Sequence, residues 1–262
     1  MATFWIGGIK YTGKLKSIGK KRQISLSKSD GFEISEVKVK KPPSDKMVEN
    51  IRRMKGCGVV VKALRVCFND LLKLYTDVHI TGRLMKLVSE IYMRSPVGEG
   101  SKRGFFFSAN QPLLGNIRYN IKVTRVEALQ YMIEHSHSLE RNEVTLKFTG
   151  FKIRWEAVKG HNSHYRLFHH ICVIPDYAYS EASDSFEPLG VSCPLSVIVF
   201  SEYMDVFSEF TGEIVTRLPE GVVLTEADSV IQSVGIEFFN KWGVDNYSYY
   251  YGGSGVKIVD VF

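Results

Sequence analysis

The segment VTLKFTGFKIRWEAV, residues 144–158, carries the clearest secondary-structure pattern in this chain of 262 residues. Before a glycine at position 150, apolar side chains occupy alternate positions: Val144, Leu146 and Phe148. A period of two residues is typical of a β-strand with one buried face. After the glycine the alternation continues one step out of phase, at Phe151, Ile153 and Trp155. We therefore predict strand structure here, with a β-bulge or a hairpin at Gly150.

Short runs rich in β-branched and aromatic residues predict further strands on both sides of this segment. They lie at residues 59–68, 116–126, 171–174, 195–200, 214–218 and 222–224. The sequence Pro219-Glu220-Gly221 predicts a turn between the last two. We expect the chain to end in a hairpin, formed by residues 247–251, a Gly-Gly-Ser-Gly turn and residues 256–262.

Two helices are predicted in the first half of the chain. Ser44 is a suitable N-cap for the first, which we expect to end at Gly56. Thr81 is a suitable cap for the second, and Pro96 follows its predicted end. The apolar face of the second helix is spaced at three and four residues: Leu84, Leu87, Val88 and Ile91.

Two more helices are predicted further along the chain. One begins at the capping-box pair Thr124 and Glu127. Its apolar face consists of Leu129, Met132 and Ile133. The other is predicted from Thr225 through Asn240. Its expected buried stripe consists of Val230, Ile231, Val234 and Phe238.

These elements together predict the α+β class: a single compact domain with an antiparallel sheet and a few packed helices. Apolar residues make up 44% of the chain and charged residues 24%, which is ordinary for a globular protein. We place the compact domain at residues 44–262, with a loop or internal boundary at 95–104. Residues 1–43 are predicted to form a flexible basic arm, in which residues 33–41 are either a short edge strand or disordered.

Charge is distributed very unevenly along the chain. Residues 1–55 hold 11 Lys and 3 Arg against 5 acidic residues, a net charge of +9. Residues 56–155 carry a net +7, and residues 156–262 carry a net −10. The basic part suits phosphates of nucleic acid or of anionic lipid, and the acidic part could attract the basic part of a neighbouring copy. The alternative is that both parts are simply solvated surface.

The basic residues near the amino terminus are the candidate site for RNA or phospholipid phosphates. They are Lys14, Lys16, Lys20, Lys21, Arg22, Lys38, Lys40, Lys41, Arg52, Arg53 and Lys55. Two short groups among them, at residues 20–22 and 38–41, also resemble nuclear-import signals and predict an import receptor as a partner. Beside them, Phe4, Trp5 and Ile6 are candidates for insertion into a membrane interface. The alternative is that these three apolar residues pack on the domain.

Motifs for enzymatic chemistry are weak. The histidine-rich segment contains His161, His164, His169, His170 and Cys172, but its spacing fits no zinc finger. We therefore predict no metal, and interpret the segment as a polar loop that leads into a buried strand, with a Cys–His pair or a pH sensor as the alternatives. No phosphate-binding loop and no G-x-S-x-G motif occurs, so we predict a protein that is not an enzyme and needs no cofactor.

Sequence features also predict the compartment. The four cysteines show no paired spacing, which favours reduced thiols in the cytosol or nucleus. No secretory signal or membrane-spanning run is recognised, so we expect a protein that is not secreted and contacts membranes only peripherally.

The layout of a lysine-rich arm followed by a compact α+β domain resembles the matrix proteins of rhabdoviruses, in particular of the plant-infecting, nucleus-replicating kind. The resemblance rests on the segment IRYNIKVTRVEALQYMI, residues 117–133, and on the closing segment 247–262, and it covers about half of the chain. The proline-rich late-budding motif of animal members is absent, because Pro42-Pro43 is followed by Ser-Asp. The resemblance therefore does not imply recruitment of host budding machinery through that motif.

The resemblance implies a structural virion protein that binds a nucleocapsid or RNA, contacts an anionic membrane peripherally, self-associates and takes part in budding. Its expected locations are the virion and the nucleus and cytoplasm of the host. The alternative function is a plant-virus cell-to-cell movement protein that binds single-stranded RNA, for which a jelly-roll-like core is expected.

Overall fold

The computed structural model describes residues 2–6, 9–13, 43–75, 78–96, 103–119, 133–153, 162–190 and 195–262. The chain divides into two compact units, Met1–Val48 and Glu49–Phe262. In the first unit, β1 (Ala2–Ile6) pairs antiparallel with β2 (Ile9–Gly13). The described part of the predicted flexible arm is therefore a two-stranded hairpin.

Helix α1 (Asp45–Cys67) is 23 residues long. Its predicted cap is confirmed, because the backbone N–H of Met47 donates to Ser44 Oγ at 3.4 Å. The predicted end at Gly56 and the predicted strand at 59–68 are both wrong, since the helix continues through them. Buried residues recur there at helical spacing, at Cys57, Val60, Val61, Leu64 and Cys67, so packing outweighs the β-propensity of the valines.

Three further helices follow: α2 (Asn69–Tyr75), α3 (Ile80–Arg94) and α4 (Gln111–Leu114), the last preceded by a 3-10 turn at Ser108–Asn110. The prediction of α3 is confirmed, with Leu84, Val88 and Ile91 buried and Pro96 beyond its end. Thr81 is not its cap, because it lies inside the helix. The predicted boundary at 95–104 lies partly outside the described residues.

The remaining strands are β3 (Ile133–His137), β4 (Glu143–Phe151), β5 (His164–Pro175), β6 (Tyr177–Ser180), β7 (Ser185–Pro188), β8 (Leu195–Phe200), β9 (Met204–Asp205), β10 (Phe210–Arg217), β11 (Asp228–Trp242) and β12 (Asn246–Val261). A central antiparallel sheet has the order β12-β11-β5-β8, with β9 also paired to β5. A smaller antiparallel sheet has the order β10-β4-β3. Strands β6 and β7 form a separate hairpin. The predicted α+β class is thus confirmed: the described residues contain four α-helices and mainly antiparallel sheet.

Of the two forms predicted at Gly150, strand β4 confirms the bulge rather than the hairpin. The predicted continuation of the strand is wrong at residues 152–153, because β4 ends at Phe151, and residues 154–158 lie outside the described residues. Phe148 pairs with Gly212 and Phe151 pairs with Phe210, so two residues of β4 lie opposite the single residue Thr211. Gly150 has a φ of +62° and its N–H donates to Thr211 Oγ1 at 3.0 Å. Glycine tolerates this left-handed conformation without the steric cost that other residues incur.

Predictions for strands 171–174, 195–200 and 214–218 are confirmed within β5, β8 and β10, and the turn before residue 222 is confirmed by a bond from Val222 N–H to Pro219 O. The predicted helix from Thr225 through Asn240 is wrong, because β11 occupies this region. Residues 222–224 are not a strand. Ile133, predicted to be helical, begins β3; the rest of that helix and most of the predicted strand 116–126 lie outside the described residues.

The closing hairpin is also corrected. Its two predicted strands are one strand, β12, and the hairpin partner is β11, joined through the turn at 243–245. The register shifts where Ile236 pairs with Gly255 but Phe238 pairs with Tyr250, so the glycine-rich segment forms a wide bulge within β12.

Within the unit Glu49–Phe262, the elements form three layers. One face of the central sheet, including Phe168, Cys172 and Ile231, shares a core with the helices. The opposite face, including Leu167 and Val234, packs against Leu146 and Ile214 of the smaller sheet. The central sheet is thus covered by helices on one side and by a second sheet on the other.

Candidate functional site

The structure describes only three of the eleven predicted phosphate-binding residues. The eight at positions 14–41 lie outside the described residues. The other three lie on α1 and contact neighbouring groups: the Arg52 guanidinium carbon is 5.0 Å from the centroid of the Tyr179 ring, Arg53 Nη1 is 3.5 Å from Met93 Sδ, and Lys55 Nζ is 3.7 Å from Asp184 Oδ2. Arg52 and Arg53 are half-buried, so only Lys55 of these three is exposed as expected.

The membrane-insertion candidates lie on β1. Their backbone pairs are Phe4 with Tyr11, Trp5 with Lys10 and Ile6 with Ile9. Within the described ranges, we find no helix with the length and apolar character needed to cross a membrane.

In the folded chain, the helical layer and the sheets carry net charges of opposite sign. The described helical layer, residues 49–119, contains 11 Lys and Arg against 3 acidic residues, a net charge of +8. The described residues of 133–262, which form the sheets and their loops, contain 7 Lys and Arg against 17 acidic residues, a net charge of −10. Opposite charges are therefore carried by different layers of one compact unit, which the linear sequence alone did not show.

Several cations of the helical layer are exposed on α1 and α3. Lys62 and Arg65 are exposed on α1 and, three residues apart, lie on the same side of the helix. Lys86 is exposed on α3. No carboxylate among the described residues forms an ion pair with these three side chains. We name Lys62, Arg65 and Lys86, together with exposed Lys55 and Lys73, the helix-layer basic surface. Its last two members each lie near one carboxylate, Lys55 Nζ at 3.7 Å from Asp184 Oδ2 and Lys73 Nζ at 3.4 Å from Asp70 Oδ1.

A second polar feature, which the sequence did not reveal, is a buried ion pair on the helix side of the central sheet. Arg166 Nε on β5 lies 2.5 Å from Glu237 Oε2 on β11. Glu237 is buried and also accepts a hydrogen bond from the Tyr75 hydroxyl at the end of α2. Burial, and next the negative charge of Glu237, raise the pKa of Tyr75, so that hydroxyl remains a donor. The pair therefore connects α2, β5 and β11.

Aromatic rings surround Arg166 at one end of the central sheet. Its guanidinium carbon lies 3.9 Å from the Phe200 centroid, 5.3 Å from that of Tyr203 and 5.2 Å from that of Phe239. Tyr203 in turn stacks on Tyr247, with centroids 4.0 Å apart and planes within 4°. Distances of this kind are favourable for cation–π attraction. The cluster therefore holds an arginine in aromatic surroundings.

Exposed rings and acids lie at the same end of the sheet as this cluster. Phe207 is 71% exposed and Trp242 is 67% exposed. Glu202, next to Tyr203 in the sequence, is exposed, and so is Asp245 in the β11–β12 turn. We name the set Phe200, Glu202, Tyr203, Phe207, Trp242, Asp245 and Tyr247 the aromatic–acidic end. Its members come from separated strands; the aromatic richness of residues 247–251 was the only local signal in the sequence.

The histidine-rich segment does not assemble into one site. His161 lies outside the described residues, and His169 and His170 point to opposite faces of β5, where His169 Nδ1 is 2.8 Å from Thr216 Oγ1 and His170 Nε2 is 3.0 Å from Ser196 Oγ. Across the described ranges, no three His, Cys, Asp or Glu side chains are grouped as metal ligands would be. Burial raises the pKa of Cys172, which keeps its thiol protonated rather than nucleophilic.

Burial also governs the charge of both central histidines. It lowers the pKa of His169 to about 3 and that of His170 to about 4, in the first case assisted by repulsion from His170. Both imidazoles are therefore neutral at physiological pH. His169 lies between the two sheets, whereas His170 lies on the helix side, near Phe68. The predicted polar loop is wrong for these residues, because β5 already begins at His164.

No family model, no curated protein and no solved structure matches the chain. The function is therefore argued from the fold and from the surfaces described above.

Proposed function

We propose that this protein is a non-enzymatic structural protein that binds the phosphates of RNA and self-assembles, in the manner of the viral matrix proteins that its layout resembles. The helix-layer basic surface and the basic amino-terminal segment bind the phosphates. The acidic sheets face away from the RNA and attract basic surfaces of neighbouring copies. An anionic membrane is the second phosphate-bearing partner of the same protein.

The observation that carries this proposal is the division of charge between layers. A net charge of +8 on the described helical layer, with few acidic residues among its cations, favours contact with a polyanion. Lys62 and Arg65 are three residues apart on α1, roughly 5–6 Å between their Cβ atoms, so both side chains can contact phosphates of one RNA strand. Binding through phosphates alone is independent of base sequence and strongly salt-dependent.

The test is a fluorescence-anisotropy titration of a short single-stranded RNA between about 50 and 200 mM salt. The variant Lys62→Glu/Arg65→Glu is expected to bind at least about tenfold more weakly, because a charged hydrogen bond is worth more than about 1 kcal/mol. The dependence of log affinity on log salt should also become shallower, by about 0.7 for each phosphate contact that is lost.

The matched control is Lys147→Glu/Lys152→Glu, which makes the same change of charge on the smaller sheet. Lys147 and Lys152 are accompanied by acidic neighbours, since Lys147 pairs in register with Glu213 and Lys152 Nζ is 2.7 Å from Glu209 Oε2. This control should bind RNA as the unchanged protein does, apart from a small uniform effect of net charge. Equal losses in the two variants would contradict the assignment of the RNA surface to the helical layer.

A second candidate function is the movement protein, which keeps the RNA contact and omits the membrane. The observation that favours it is the pair of antiparallel sheets packed face to face, an arrangement related to the jelly-roll-like core expected for such proteins. Flotation with anionic vesicles separates the two candidates. Salt-sensitive flotation supports the matrix-like function, and RNA binding without flotation supports the movement protein.

A further inference from the structure

We propose that the aromatic–acidic end binds the lysine-rich segment 14–41 of a second copy of this chain, and that this contact joins copies head to tail. The inference rests on the self-assembly part of the proposed function and identifies the two surfaces that meet. It requires no RNA, so the two ideas can fail separately.

The first argument is that this end of the sheet already accommodates a cation. Arg166 lies against Phe200, Tyr203 and Phe239, and Lys241 Nζ lies 5.5 Å from the centroid of the Tyr247 ring. At this end of the sheet, basic side chains therefore already pack against the faces of aromatic rings. The rings of Phe207 and Trp242 are exposed at the same end of the sheet, with Trp242 on the opposite face of the β11–β12 hairpin from Tyr247, where an incoming Lys or Arg can reach them.

The second argument is charge complementarity. The charge of Arg166 is balanced by buried Glu237, so it adds little positive potential to the surface. Glu202 and Asp245 are exposed and form no ion pair with another described residue. Together with exposed Asp205, they give the end three carboxylates against the single exposed cation Lys241. Exposed rings bordered by carboxylates favour a cationic ligand and disfavour RNA phosphate.

The third argument concerns the occupant. Segment 14–41 contains nine Lys and Arg against three acidic residues, so it carries a net charge of +6. An attraction between two different surfaces of identical chains produces a heterologous, head-to-tail contact, which leads to rings or open arrays rather than to isolated dimers.

Sedimentation velocity of the full-length protein at low salt tests the contact by charge exchange. The site variant Glu202→Lys/Asp245→Lys and the segment variant Lys20→Glu/Lys21→Glu/Arg22→Glu should each associate much more weakly than the unchanged protein. The first places two lysines opposite a basic segment, and the second lowers the net charge of segment 14–41 from +6 to 0. An equimolar mixture should associate again, since each variant offers the surface that the other lacks. A mixture that remains monomeric would overturn the proposal, even if each variant alone lost association.

A control for net charge is available at the other end of β11. The exposed residues Glu140 and Glu220 lie in loops next to the start of this strand. Strand β11 has 15 residues, so at a rise of about 3.3 Å per residue its start is roughly 45 Å from the aromatic–acidic end. The variant Glu140→Lys/Glu220→Lys should associate as the unchanged protein does. Loss of association in this control would show a general charge effect and would contradict the assigned site.

The rings are tested separately with Phe207→Ala/Trp242→Ala. Both side chains are largely exposed, so folding should be preserved, whereas association should weaken about tenfold if each ring contributes on the order of 0.5–1 kcal/mol of cation–π attraction. Unchanged association would overturn the aromatic part of the site. RNA titration of the same variants should show undiminished affinity, and a selective loss of RNA binding would instead identify the rings as a base-stacking surface.

Discussion

Individual glycines show how a residue's role depends on what surrounds it. Gly56 matches a helix-ending signal, yet it lies inside α1, where an added Cβ would approach Phe186 Cε2 to 2.4 Å and Phe105 Cε2 to 2.8 Å. The glycine is therefore required for close packing of the helix on these rings. Gly58, two residues later, has no atom within 4 Å of the same position.

This difference predicts opposite effects of one substitution. Gly58→Ala should increase the free energy of unfolding by about 0.5–1 kcal/mol, because alanine favours the helix. Gly56→Ala should decrease it, because overpacking costs about 1–3 kcal/mol and exceeds the gain in propensity. Urea denaturation measures both values. Stabilisation of similar size in the two variants would show that the rings do not confine Gly56.

The buried histidines predict the pH dependence of stability. Their pKa values of about 3 and about 4 in the folded protein lie below the ordinary value near 6.5, so the unfolded chain binds protons more readily. Stability is then complete above pH 6.5 and is lost as the pH falls toward 4. The loss should be about 2 kcal/mol per histidine between pH 7 and pH 5.

Urea denaturation at these two pH values provides the measurement. Replacement of both imidazoles, in His169→Gln/His170→Gln, should remove most of the pH dependence even if the variant is less stable at pH 7. Undiminished stability of the unchanged protein at pH 5 would contradict the buried, neutral state of these residues.

Helices and strands were predictable where one face is exposed. The alternation in β4 and the amphipathic spacing in α3 each identify their element, and the phase change at Gly150 locates the bulge. Strand β11 was mistaken for a helix because residues 228–239 are buried on both sides, including Gln232, Ser233 and Glu237. A strand with two buried faces has no alternation, and its Val230, Ile231 and Val234 also fit a helical stripe.

The contact between α2, β5 and β11 depends on the buried pair of Arg166 and Glu237. Arg166→Met should lower the free energy of unfolding by about 3–5 kcal/mol, because it leaves a buried carboxylate without its cation. Glu237→Met in the same protein should restore part of the loss. The exposed pair of Arg217 and Glu143 is the control, and Arg217→Met should cost at most about 1 kcal/mol.

Chemical denaturation of the single and double variants gives the coupling energy for each pair. Equal losses of unfolding free energy in Arg166→Met and Arg217→Met would show that burial does not strengthen the dependence on Arg166.

The pair of Arg166 and Glu237 could not be found from the sequence, since its partners are 71 residues apart and become neighbours only through the pairing of β5 with β11.

The whole molecule combines a charge pattern that the sequence shows with a geometry that it does not. The division into basic and acidic parts was evident from counting residues. The placement of the two charges on different layers could be seen only in the fold: the basic helices cover one face of the central sheet, and the smaller sheet covers the other face. The aromatic–acidic end is likewise a product of strand order, since it unites the ends of β8, β11 and the start of β12.

Lysine acetylation footprinting, read by mass spectrometry with and without bound single-stranded RNA, tests the layer assignment without any substitution. Lys55, Lys62, Lys73 and Lys86 of the helical layer should be protected by RNA, because their ammonium groups contact phosphates. Lys147, Lys152, Lys241 and Lys257 of the sheets should react equally in both states. Protection of the sheet lysines, with those of the helical layer unaffected, would contradict the proposal that the helical layer binds RNA.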